Sequence, residues 1–306
     1  MSLQTIDTAM RSLTIGLVTA AVAAVAMATG SVAARAQDAG EFHELETKYI
    51  FGNFTVGSSI DEEGEKAFEP ETEADFGKRG GKYGVSETEL EFEYTPTQFM
   101  QVAFGPTVSY YNIHGVPGLD DLNAVAVNGF EAEFRPIIVD RGPSMPFAIT
   151  ASIEPEYHSR DETSGAQVAN FGVENKLEAD TELIKNRLFL AFNALYEPET
   201  TRDLGMWTKE STWGVSSALA YQIIPKVVVG ADLWYLQHYD GLAFNNFTGD
   251  AVYLGPTFYW QIAPKILMSA AWQTQIAGRE AGIVPANLDL ADFSRQRARL
   301  LFEFEF

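Results

Sequence analysis

The sequence contains no cysteine. That excludes a disulfide framework, a thiolate metal centre and a lipid anchor on an N-terminal cysteine, so the fold must hold without covalent staples. Positive charge is scarce: 21 Lys and Arg stand against 42 Asp and Glu, giving a formal charge of −21. A chain this acidic is unsuited to phosphate backbones, and no nucleic-acid partner is expected. Beyond residue 36 no run of about eighteen apolar residues occurs, so no helical membrane span is expected there. No nucleotide-type phosphate loop is present either. Gly77-Lys78-Arg79-Gly80-Gly81-Lys82 is instead a basic hairpin loop, suited to lipopolysaccharide phosphates. No cofactor and no resident metal are expected. What the chain has in quantity is aromatic residues, 12% of the total. Acidic chains poor in aromatics stay disordered; here the charge must be confined to particular surfaces.

The first 36 residues form a unit of their own. Met1 to Arg11 is polar, Ser12 to Ala34 is apolar and Ala-rich, and Ala34-Arg35-Ala36 has the small-x-small pattern of a signal-peptidase site. The polar run Gln37-Asp38-Ala39-Gly40-Glu41 that follows argues against a retained anchor helix. Residues 1–36 are therefore assigned as a secretory signal peptide. Residues 37–64 form an N-terminal segment, periplasmic or entering a lumen, and residues 65–306 form a single domain.

In that domain the period is two. Ala298, Leu300, Phe302, Phe304 and Phe306 share one parity, while Arg295, Arg297, Arg299, Glu303 and Glu305 share the other. Successive strand side chains point to opposite faces, so such a strand has one apolar and one charged face. The same pattern predicts about 12 strands, near 65–77, 83–95, 98–112, 123–137, 146–159, 166–180, 187–199, 209–223, 226–239, 248–263, 265–278 and 293–306. Turn residues separate them, and an even number of strands places both ends of the meander on one side.

Two features distinguish a membrane barrel from a soluble sandwich. Charge falls on the face that would line a lumen. Outward aromatics also segregate, with Tyr94, Phe134, Tyr221, Trp260 and Phe304 at one set of strand ends and Tyr110, Tyr157, Tyr196, Trp213 and Tyr239 at the other. Aromatic girdles around an apolar band mark a lipid-embedded barrel. In hydrocarbon a sheet edge has no partner, so the first and last strands must pair. The expected fold is an all-β, antiparallel, up-and-down transmembrane β-barrel of a Gram-negative outer membrane, with both termini periplasmic.

The terminal Phe302-Glu303-Phe304-Glu305-Phe306 resembles the assembly signal of Gram-negative outer-membrane proteins. The resemblance implies that Phe302, Phe304 and Phe306 are read by the barrel-assembly machinery, after escort by periplasmic chaperones. Gly64-Glu65-Lys66-Ala67-Phe68-Glu69, Gly81-Lys82-Tyr83-Gly84 and Glu89-Leu90-Glu91-Phe92-Glu93-Tyr94, with Tyr49-Ile50-Phe51-Gly52-Asn53-Phe54-Thr55 before them, resemble the opening of a porin-like family of uncharacterised proteobacterial outer-membrane barrels. That family implies architecture and outer-membrane lipid and lipopolysaccharide as surroundings. It implies no activity.

Inward positions collect Glu87, Glu89, Glu91, Glu93, Glu131, Glu133, Glu154, Glu156, Glu174, Glu178 and Asp232 as an acidic lumen wall. Arg295, Arg297 and Arg299 on the closing strand are expected to pair across the seam with Glu71, Glu73 and Asp75. Fixed carboxylates in a low-dielectric wall favour cations. The leading reading is thus a passive or facilitated channel for small cationic or neutral solutes. A closed structural or adhesive barrel acting through its loops is the alternative, and an outer-membrane lipid hydrolase is the third. His158-Ser159-Arg160-Asp161-Glu162-Thr163-Ser164-Gly165 has the residue types of the last, but its parity turns His158 inward and the spacing does not bring a nucleophile to a base. Glu44 to Ile60 is left as plug, tail or extra strand.

Overall fold

The computed structural model describes residue 42 and residues 45–142, 145–283 and 287–306. The signal peptide assigned to residues 1–36 lies outside them.

The period-two segments all form strands: β1 (Lys66–Phe76), β2 (Lys82–Thr97), β3 (Met100–His114), β4 (Leu122–Val139), β5 (Phe147–Arg160), β6 (Gln167–Ile184), β7 (Leu188–Asp203), β8 (Met206–Ile224), β9 (Val227–Tyr239), β10 (Phe247–Ala263), β11 (Ile266–Glu280) and β12 (Gln296–Glu305). Each pairs antiparallel with its neighbours in sequence, and β1 pairs with β12, so the sheet is a closed barrel. Closure satisfies the backbone groups that an open edge would leave bare in lipid, at several kcal/mol each.

One rim carries short turns apart from the β4–β5 connection, 140–146. Asn186 and Lys226 take positive φ there, at 55° and 78°. These turns join β6 to β7 and β8 to β9. The first residue of β1 and the last of β12 lie on this same rim. Longer connections on the opposite rim span 115–121, 161–166, 240–246 and 281–295. The β7–β8 hairpin also rises on that side, longer than alternation alone predicts, because residues 200–203 stay paired with 206–209.

The outer surface is apolar. Phe92, Phe104, Phe130, Ile153, Phe171, Leu177, Phe192, Leu254 and Leu300 are all exposed. In water such a surface would drive aggregation; in a bilayer it is the matching surface. The expected girdle residues lie on it. Tyr94, Phe134, Tyr221, Trp260, Phe304, Tyr110 and Tyr157 are exposed, and Tyr196, Trp213 and Tyr239 are partly covered. Tyr196 and Tyr239 pack on Phe244 of the β9–β10 loop, with centroids 5.4 and 5.6 Å apart.

The seam is charged on its inner side. Glu73 faces Arg299 and Asp75 faces Arg297 in register. Arg299 Nε lies 2.7 Å from Glu73 and 3.0 Å from Glu71. Arg297 bonds Glu73 and stands 3.8 Å from Asp75. Arg295 departs from the expected three-rung ladder. The last paired residues are Phe76 and Gln296, so Arg295 precedes β12 and is exposed. Its amide donates to the carbonyl of Gly77 and its carbonyl accepts from Gln275 N; at Gly77 φ is +78° and β1 has ended.

Reversing both paired arginines (Arg297→Glu, Arg299→Glu) leaves Glu71, Glu73 and Asp75 without their arginine partners in a confined wall. Breaking a fully buried pair from one side costs about 3–5 kcal/mol, and these partly exposed pairs cost less. The expected result is a lower temperature for loss of the compact, heat-modifiable gel band, partly recovered when Glu71→Arg and Glu73→Arg are added. An unchanged transition would mean that these charges do not hold the closure.

Candidate functional site

Inside the barrel the two halves of the wall differ. On β1, β2, β4, β5, β6 and β7 the inward positions carry carboxylates. On β8 to β11 most are small, apolar or neutral, with Asp232 the buried carboxylate among them. Ala218, Ala220, Val228, Trp234, Leu236, Ala251, Tyr253, Tyr259, Leu267 and Ala271 are all buried there. A continuous apolar inner surface cannot face a water-filled lumen cheaply. It is covered by the N-terminal segment.

Leu45, Tyr49, Ile50 and Phe51 pack on Phe189, Ala191, Ala218, Ala220, Val228, Tyr259, Leu267 and Leu301. Phe54 packs on Leu195, Trp234, Leu236, Ala251, Tyr253 and Ala271. Each large side chain buried in this way contributes about 1.5–3 kcal/mol. Of the three placements open for residues 44–60, the described part therefore adopts the plug. The segment is not paired into the barrel sheet; its one bridge joins Gly52 to Thr55 within itself.

Polar groups fix the plug's register. Thr55 donates to Asp232 at 2.8 Å. Asn193 accepts from Val56 N at 2.7 Å and donates to Val56 O at 2.8 Å. Asp180 receives Thr47 Oγ1 at 2.7 Å and Ser58 N at 2.6 Å. Arg135 donates to Gly57 O, and Arg299 donates to Asn53 O at 2.6 Å. Lys48 bonds Glu93, while Tyr49 donates to Glu69 at 2.5 Å. Gly52 has φ +87°, and a Cβ there would stand 2.7 Å from the Thr257 side chain. At this contact with the wall the plug thus requires glycine.

The plug leaves a cavity of about 410 Å³ along the acidic half. Glu87, Glu89, Glu91, Glu131, Glu133, Glu154, Glu156, Glu174 and Glu178 line it, with Glu69, Glu197 and Glu199, also inward by parity, and the loop residue Glu162. Its carboxylates outnumber its Lys and Arg by more than two to one. Lys176 leans on Glu174, and Arg135 lies 2.6 Å from Glu178. Several carboxylate sets, Glu89 with Glu131 and Glu154 among them, bring one oxygen each within 4.8 Å of the others. Such spacing is favourable only with protons or cations between the groups.

Two expected wall residues are placed elsewhere. Glu93 is buried below the plug against Lys48. Asp232 is buried on the apolar side, between Thr55 and Gln273 Nε2, the latter at 3.0 Å. Parity put both inside the barrel, but parity could not show that chain from another part of the sequence would cover them. The basic hairpin loop is also engaged internally. Lys78 donates to the carbonyls of Ala291 and Asp292, both at 3.0 Å, and Arg79 pairs with Glu280.

His158 faces the lumen and is buried. Its ring nitrogens lie 3.0 Å from Glu131 and 2.8 Å from Glu162. Ser164 Oγ is turned away from it, donating to Asp161 at 2.6 Å. On the loop rim, Asp121 accepts the Gly115 amide at 2.7 Å. That backbone bond, with His114 adjacent, holds its carboxyl below the usual range.

A closed antiparallel barrel of twelve strands, apolar outside and polar within, defines an outer-membrane β-barrel protein. Residues 44–306 match the model of a family of unknown function, DUF6662, and the chain belongs to that family. No curated protein sequence matches it. Among solved structures it is similar to the COG4313 outer membrane channel from Pseudomonas putida F1, with TM-score 0.59 and 9% identity over 81% of this chain and 98% of that one. It is also similar to the β domain of the Bordetella autotransporter BrkA, with TM-score 0.51 and 12% identity over 80% and 100% of the two chains. At these identities the likeness is one of fold.

Gly52→Val adds a clash with Thr257 and a β-branched residue at positive φ, a conformation costing about 1–2 kcal/mol on its own. The expected outcome is a barrel that still shows heat modifiability but whose residues 45–64 become cleavable by added protease. A segment as resistant as in the parent would show that the Gly52 contact does not seat the plug.

Proposed function

We propose that the barrel is a passive or facilitated channel for small cationic or neutral solutes, with the acidic half of its lumen as the selective surface. The observation that carries this reading is the excess of carboxylates facing one cavity. Fixed negative charge in a low-dielectric wall raises the local cation concentration and repels anions. The plug narrows the lumen, so the conducting path runs along the acidic strands. One of the barrels similar in fold is itself described as an outer membrane channel; the argument for this chain rests on its own lumen.

On this reading residues 1–36 direct export and the rim holding the chain ends faces the periplasm. The long loops then face the lipopolysaccharide leaflet, and the barrel-assembly machinery recognises the closing strand through Phe302, Phe304 and Phe306. A closed barrel acting through its loops has one observation in its favour: Lys48 and Tyr49 of the plug line the cavity together with Glu69. The lipid-hydrolase reading needs a nucleophile and base facing lipid, and His158 is instead buried in the lumen among carboxylates.

Planar-bilayer recording of the purified protein separates the two leading readings. The expected result is a small conductance favouring K⁺ over Cl⁻, with the preference weakened at acid pH as carboxylates take up protons. Glu154→Gln, Glu174→Gln and Glu197→Gln together should lower the K⁺/Cl⁻ permeability ratio severalfold. Absence of current at any voltage, in the parent and in Gly52→Val alike, would establish the closed barrel.

A further inference from the structure

The floor of the lumen, where the plug meets the seam, carries several buried carboxylates around Lys48. Glu69 on β1 is in register with Glu91 on β2. Across the seam Phe68 pairs with Phe304, which sets the inward Glu303 of β12 beside Glu69. Three carboxylates thus stand in one lateral row on adjacent strands, an arrangement that like charges disfavour. Glu93 lies one inward position further along β2, and Glu69, Glu91 and Glu93 each bring an oxygen within 4.8 Å of the other two. Asp61, from the chain that follows the plug, is buried as well.

The available partners do not balance this group. Lys48 is spent on Glu93 and stands 3.8 Å from Glu69. Gln101 donates to Glu93, and Tyr49 donates to one oxygen of Glu69. The other oxygen of Glu69 has no hydrogen-bond partner, and neither does Asp61 Oδ2. Glu303 is the independent sign. Its side chain is 1% exposed, yet neither carboxylate oxygen makes a hydrogen bond. Its strongest electrostatic neighbours are the carboxylates Glu69 and Asp61. A buried carboxylate turned towards other carboxylates, without a donor, is the expected arrangement around a cation.

We propose that Glu69, Glu91 and Glu93, with Glu303 beside them on β12, hold a hard divalent cation of the Ca²⁺ type at the plug–seam junction. The donor set is all oxygen, with no sulfur and no imidazole among it, which selects Ca²⁺ or Mg²⁺ over Zn²⁺ or Cu²⁺. Several side chains on different strands give the flexible, high-charge coordination that Ca²⁺ accepts more readily than Mg²⁺. The ion would hold β1 to β2 at the level of Lys48, offset the charge of Glu303 on β12 and clamp the plug at its base. It needs no current through the barrel, so it stands or falls separately from the channel reading.

The test uses the full-length protein folded in a lipopolysaccharide-free detergent and stripped with EDTA. Tb³⁺ serves as the luminescent substitute for Ca²⁺, with the Tyr49 phenol placed at Glu69 to sensitise it. Sensitised emission should rise with Tb³⁺ and fall on competition by Ca²⁺. Ca²⁺ should also raise the temperature at which the compact gel band is lost. Glu303→Gln and Glu91→Gln should each weaken Ca²⁺ competition at least about tenfold, since even the outer partners of metal ligands have effects of that size. Asp120→Asn, on an exposed loop, should leave it unchanged. Retention of the compact band in each variant confirms folding. No Ca²⁺-competed emission in the parent, or equal Ca²⁺ affinity in Glu303→Gln and the parent, would overturn the site and leave shared protons as the balancing charge.

Discussion

Pairing of β1 with β12 is the contact on which every other feature of the molecule depends. A twelve-stranded sheet in hydrocarbon has no tolerable edge, because each bare amide or carbonyl costs several kcal/mol. Once the edge is closed, the inside and the outside become separate environments, and side-chain parity decides which residue meets which. Phe302 and Phe304 are then committed to lipid by the same register that turns Arg297 and Arg299 inward. The seam arginines do more than neutralise β1. Arg297 stacks on Phe54 with its guanidinium 4.8 Å from the ring centroid, and Arg299 binds the carbonyl of Asn53. Closure and the seating of the plug therefore share the same two side chains.

The division of the lumen follows from the second constraint, that buried apolar surface must be covered. Inward residues of β8 to β11 could not line water without penalty, and the plug supplies the opposing surface in a segment that reaches them before the barrel begins. Its own polar groups go where the wall offers partners: Thr55 to Asp232, Val56 to Asn193, and Thr47 and Ser58 to Asp180. The interior is thus built like a soluble core on one side and like an electrostatic channel on the other. Lys48 stands at the boundary between them, carried by the plug and held by the carboxylates of β1 and β2.

The fold was legible because strands in a barrel obey one rule along their whole length. Glu87, Glu89, Glu91 and Glu93 alternate with Thr88, Leu90, Phe92 and Tyr94, and no other periodic structure separates them so cleanly. Strand positions, closure and the girdle residues all follow from that alternation. The site was legible only by half. The acidic wall could be collected from parity, but the same parity places Trp234, Leu236, Tyr253 and Tyr259 inside, and an apolar stripe facing the lumen is itself a signal that something covers it. Tyr49-Ile50-Phe51 with Phe54 was the matching apolar run. The inference was available from the pairing of the two patterns. Their register was not, because contacts between Thr55 and Asp232 or between Arg135 and Gly57 join parts of the chain that no local rule relates. Arg295 failed for a different reason: parity continues past the end of a strand, whereas the β1–β12 register ends at Gln296.

A plug that hugs the apolar half changes what the acidic half can do. Without it the carboxylates would face a wide aqueous lumen, where screening over about 8–10 Å weakens their field. With it the free space is a cavity of about 410 Å³, bounded on one side by Phe54, Trp234 and Leu236 and on the other by glutamates. In so narrow a volume few water molecules separate the charges, and the field of each carboxylate reaches the opposite wall. The apolar packing of the plug is therefore the physical source of strong electrostatics in the remaining space: hydrophobic burial at Phe51 and Phe54 sets the dielectric environment in which Glu154, Glu174 and Glu197 act.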